Sequence, residues 1–110
     1  MPLPTPTQPW LDLYDAGVSQ TLKPAHDSVV TAFREALRQH PAHPAIRYFD
    51  ATMTMADLNE ASDALARALE EGGFSHGDRL AVYLQNIPQS VIASLAVFIR
   101  DCSLEVFKAF

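Results

Sequence analysis

A chain of 110 residues is enough for one modest domain built around one core. With 48% hydrophobic and 19% charged residues it has the composition of a folded soluble protein, not of a disordered one. A net charge of −5 and eight scattered basic residues, of which only Arg34 and Arg38 come near forming a patch, argue against a nucleic-acid binder, which needs clustered Lys and Arg for phosphate. The single cysteine, Cys102, excludes an internal disulfide and fits a reducing compartment.

Residues Met1 to Pro9 carry Pro2, Pro4, Pro6 and Pro9 without a basic residue or an apolar run, so they do not read as a secretory signal. An extended, flexible lead-in is expected. Trp10, Leu11, Leu13 and Tyr14 form a short apolar cluster able to dock on a neighbouring surface, and Gly17 to His26 lacks periodicity and reads as a loop. The longest apolar run, Val91 to Ile99, is far short of the ~20 residues that span a bilayer. A cytoplasmic protein with no membrane span is therefore the expectation.

The first helix is expected from Asp27 or Ser28 to Gln39, since either residue can cap its first turn. Val29, Val30, Phe33, Ala36 and Leu37 recur at the spacing of one face, with Arg34, Glu35 and Arg38 outward, and Pro41 stops the run. Ala45 to Phe49 and Thr52-Met53 read as two short strands joined by a turn at Asp50-Ala51. Thr54 then caps a second helix, with Asp57 as its capping-box partner. Leu58, Ala61, Leu65, Ala68 and Leu69 form the expected buried stripe, Asp63 and Arg67 an ion pair on the wet face, and Gly72-Gly73 the stop.

Gly77-Asp78-Arg79 leads into Leu80-Ala81-Val82-Tyr83-Leu84, a strand apolar on both faces, which predicts a parallel strand covered on both sides. Asn86 and Pro88 mark the start of a third, largely buried helix carrying Val91, Ile92, Leu95, Val97, Phe98 and Ile99. In the tail, Leu104, Phe107 and Phe110 repeat every three residues, too short a pattern for a stable partner-binding helix alone.

The order of these pieces resembles a known family. Trp10-Leu-Asp-Leu-Tyr-Asp-Ala-Gly17, His40-Pro-Ala-His-Pro-Ala-Ile46 and Met53-Thr-Met-Ala-Asp-Leu58 are similar to the start of bacterial fatty acyl-CoA ligases. So is Gly77 to Asn86 followed by Pro88-Gln89. Together they resemble the N-terminal portion of the AMP-forming adenylate-forming superfamily over roughly Trp10 to Phe98. The resemblance implies an α/β fold: a partial N-terminal subdomain with a β-hairpin, a βα unit, three main helices and an incomplete sheet. It implies a lead-in over 1–26, the partial domain over 27–99 and a divergent tail over 100–110.

For the full-length parent, the resemblance implies ATP, Mg and CoA as cofactors and a fatty acid as substrate, joined through an acyl-AMP intermediate. This chain is expected to hold none of them. The family's Gly-rich loop with its Lys, which wraps phosphates, has no counterpart among Gly17, Gly72, Gly73 and Gly77. A premature end with a shifted reading frame near Ile99 would explain the tail from Arg100 to Phe110. Loss of flanking strands is expected to leave apolar surface open and the chain prone to self-association. An alternative is a non-catalytic interaction module that binds a protein partner through its apolar helix.

No residue is assigned a catalytic, cofactor-binding or metal role. His40 and His43 stand three apart, but Pro41 breaks the helix that would put them on one face. His26 and His76 fall in polar loops. Asp101 beside Cys102 disfavours a reactive thiolate, Asp12 and Asp15 read as surface, and Ser90 and Ser94 lack a nearby base.

Overall fold

The structure is a computed structural model that describes residues 8–99 and, as backbone, 103–108. After a short 3-10 helix at Pro9–Leu13, the chain forms α1 (Val29–Gln39), β1 (Pro44–Tyr48), β2 (Ala51–Thr54) and α2 (Met55–Glu71). It continues with β3 (Arg79–Leu84), α3 (Pro88–Ile99) and β4 (Ser103–Lys108). β1 and β2 make an antiparallel hairpin, and β3 and β4 a parallel pair joined through α3.

Local chemistry sets most of these boundaries. Ser28 caps α1 by accepting the Thr31 N–H at 3.1 Å. Thr54 caps α2 with a complete capping box: its hydroxyl accepts the Asp57 N–H at 3.1 Å, and the Asp57 carboxylate accepts the Thr54 N–H at 2.9 Å. The Thr54 N–H, and the Thr54 hydroxyl at 2.7 Å, both donate to the Asp57 carboxylate and hold it below its ordinary range. The remaining first-turn donors of α2 are met by the preceding loop, Met55 N–H by the His43 carbonyl and Ala56 N–H by the Pro41 carbonyl, both at 2.9 Å. At its other end Gly73 adopts φ +91°, and Gly73 and Phe74 donate back to Glu70 and Leu69, closing a Schellman motif.

The hairpin turn falls at Phe49-Asp50, one residue earlier than the sequence pattern suggests. Phe49 sits at φ +50°, a left-handed conformation that costs a non-glycine residue roughly 1–2 kcal/mol. An aromatic residue is a poor sequence signal for such a position, so it reads as strand. Exposed Phe49 packs edge-on against Tyr48, ring centroids 4.6 Å apart.

The core lies where α2 packs on α3. The buried residues of α2 are Leu58, Ser62 and Ala66, and those of α3 are Ala93, Leu95, Ala96 and Val97. The expected α2 stripe is thus rotated: Ser62 is fully buried, Ala61, Leu65 and Leu69 are half-buried, and Ala68 faces out. Ser62 satisfies its hydroxyl by donating to the Leu58 carbonyl at 2.8 Å, which lets a polar side chain occupy a dry position. The expected Asp63–Arg67 side-chain pair does not form. Asn59 donates to the Asp63 carboxylate at 3.1 Å, and Arg67 reaches only the Asp63 main-chain carbonyl at 3.4 Å. On α1, Val30, Phe33 and Leu37 are half-buried, whereas Val29 and Ala36 are exposed.

One expectation for the last third is corrected. β3 is covered on one face: Val82 is buried, but Ala81 is exposed and Tyr83 is 69% exposed, because no described element packs over them. The tail, for which the sequence pattern predicts no stable helix, is a strand where it is described, and it pairs with β3 in continuous register from Arg79↔Ser103 to Leu84↔Lys108. The βα unit is therefore βαβ, with one edge of β3 paired. Phe110 and Cys102 lie outside the described residues.

The small residues at the α2–α3 contact give a direct test. Ser62→Leu forces extra volume into a filled site and is expected to cost about 1–3 kcal/mol, read as a lowered urea midpoint. Ser62→Ala, which removes only a bond to an already bonded helix carbonyl, is expected to be nearly neutral.

Candidate functional site

The loop from Gln85 to Ile87 lies at the C-terminal end of β3, where open α/β sheets hold ligands. A groove of about 320 Å³ opens there. Val82, Leu84 and Val91 give it an apolar floor, Gln85 and Asn86 supply amides, and Ser90 and Ser94 line the α3 side. Both hydroxyl protons are already used: Ser90 Oγ donates to the Ile87 carbonyl and Ser94 Oγ to the Ser90 carbonyl, each at 2.7 Å. Each serine hydroxyl thus donates within its own helical turn and offers the groove its oxygen as an acceptor. A second groove adjoins the first, with Ile46, Arg47 and Tyr48 of β1 facing Asn86 and Pro88. Together these surfaces can accept apolar groups and exchange amide hydrogen bonds. The described residues that line them include no carboxylate, histidine or cysteine.

The other candidate residues do not converge on the groove. The rings of His40 and His43 lie 6.2 Å apart between centroids and tilted by 55°. What His43 contributes is its main-chain carbonyl, which caps α2. No group of three or more His, Cys, Asp or Glu side chains able to hold a metal forms among the described residues. Asp12 falls on the 3-10 helix and Asp15 just beyond it, both exposed. His76 sits in the turn before β3. His26 lines an open polar depression with Thr31, Arg34, Glu35 and Arg38 on α1.

That depression holds an ion pair between two side chains that the sequence pattern marks only as part of an outward face. Arg38 binds Glu35 in a fork, with Nη2 donating at 2.8 Å and Nε at 3.2 Å, and Gln39 adds a bond at 2.6 Å. The signal was the spacing of three and four residues from Glu35 to Arg38 and Gln39. Arg38, then Gln39, and the nearby charge of His26 pull the Glu35 carboxyl from 4.5 down to about 2. The same fork raises Arg38. Both side chains are solvent-accessible, so the pair organises the helix surface and is readily screened by salt.

No Gly-rich run carrying a Lys, of the kind that wraps a nucleotide phosphate, occurs in the sequence. The two lysines are Lys23 and Lys108, and the four glycines, Gly17, the adjacent Gly72 and Gly73, and Gly77, are not among the residues that line the groove. No helix among the described residues is long and apolar enough to cross a membrane.

Residues 33–102 match the family described as AMP-binding enzyme. A long-chain fatty-acid–CoA ligase of Escherichia coli O6:H1 is 31% identical over 90 residues, a stretch covering 80% of this chain and 16% of that protein. The o-succinylbenzoate CoA synthetase of Bacillus subtilis, solved with its acyl-adenylate intermediate, superposes with a TM-score of 0.66 at 29% identity, covering 68% of this chain and 20% of that one. The N-terminal subdomain of Klebsiella oxytoca NpsA shares the fold, with a TM-score of 0.70 at 23% identity over 74% of this chain and 21% of that one. The chain thus spans about a sixth of the length of the curated fatty-acid ligase it matches.

The Glu35 fork makes a pH prediction. A carboxyl lowered in the folded state stabilises it fully above the ordinary value of 4.5 and loses that contribution as pH falls toward 2. An NMR titration of the Glu35 carboxyl is expected to show the low midpoint, and Arg38→Ala is expected to return it toward 4.5. A midpoint unchanged by the substitution would contradict the assigned cause.

Proposed function

The chain belongs to the AMP-binding enzyme family, and from that premise we propose that it is the N-terminal part of an AMP-forming fatty-acyl-CoA ligase, a scaffold that is catalytically silent alone. In the parent, ATP and Mg would activate a fatty acid as acyl-AMP with loss of pyrophosphate, and CoA would then displace AMP. The acid–thiol ligase reading is supported by the similarity to fatty-acid–CoA ligases over 80% of this chain. The relative bound to an o-succinylbenzoyl adenylate shows that the fold also serves other acids, so the fatty acid rests on that similarity alone.

The observation that carries the silent-scaffold reading is the chemistry of the groove among the described residues, an apolar floor, amides and committed hydroxyls, beside a sequence that has no Gly-rich run carrying a Lys to meet a triphosphate. Offsetting charge on a transferring phosphoryl or adenylyl group needs such donors and cations. The chain's own contribution would be to position the loop at the end of β3 and to present the groove to the rest of the ligase. A cytoplasmic place of action and a role in fatty acid metabolism follow from the same reading. So does self-association of a chain whose apolar surface is not fully covered.

Two measurements test it. The 110-residue chain with ATP, Mg, CoA and a medium- or long-chain fatty acid is expected to release no pyrophosphate, and measurable acyl-AMP would refute silence. A chimera carrying this chain's matched residues in place of those of the Escherichia coli ligase is expected to keep fatty-acid-dependent AMP release. A folded chimera without that activity would count against the ligase assignment.

A further inference from the structure

We draw no further inference here: the strongest candidate, the groove between the β1–β2 hairpin and the start of α3 that Ile46, Tyr48, Met53 and Pro88 line, adjoins the site already described, and nothing in the structure shows what covers it.

Discussion

The packing of α2 on α3 is the contact on which the rest of the structure depends. Each of the two small sheets has only two strands, and a two-stranded sheet has little stability of its own. The hairpin leans on α2, and β3 and β4 lean on α3. The seam between the helices, to which α1 adds contacts with both, makes one unit of these halves. Its most buried positions are small, with Ser62, Ala66, Ala93, Ala96 and Val97 allowing close approach, and the one polar member carries its own hydrogen bond. Substitutions that change volume at this seam act on both halves at once.

Much of this was legible in the sequence, because the signals were local. Ser28, Thr54 with Asp57, and Gly73 mark helix ends through bonds made within three or four residues, and the structure places the ends there. The three helices, the hairpin and β3 follow from caps, periodicity and turn residues. What was not legible depended on partners distant in the chain. Ser62 reads as a polar interruption until α3 is known to lie against it. Tyr83 reads as a buried strand residue until the sheet is seen to be uncovered on that side. The turn at Phe49 was hidden by an aromatic side chain in a conformation that favours glycine. The strand at Ser103–Lys108 exists through its pairing with β3, which no periodicity in six residues could announce.

The groove at the end of β3 follows from the order of strand, loop and helix at Arg79 to Ile99. Strand and loop place amides and apolar side chains at the position where α/β folds hold ligands, and the resemblance over Gly77 to Gln89 named the family that residues 33–102 match. Function in such a fold is assembled from several segments, and a segment that names a family need not carry its chemistry. The pair His40 and His43 shows the same division. Their backbone carbonyl and turn geometry fix the start of α2, and their imidazoles have no assigned task.

The most direct test of this account is native-state hydrogen exchange on the 110-residue chain. If the α2–α3 seam binds the two halves into one cooperative unit, the central amides of α2 and α3 will open with a common free energy, above those of the hairpin and of the Pro9–Leu13 segment. Exchange of α2 with the hairpin at one free energy, and of α3 with β3 at a clearly different one, would contradict it.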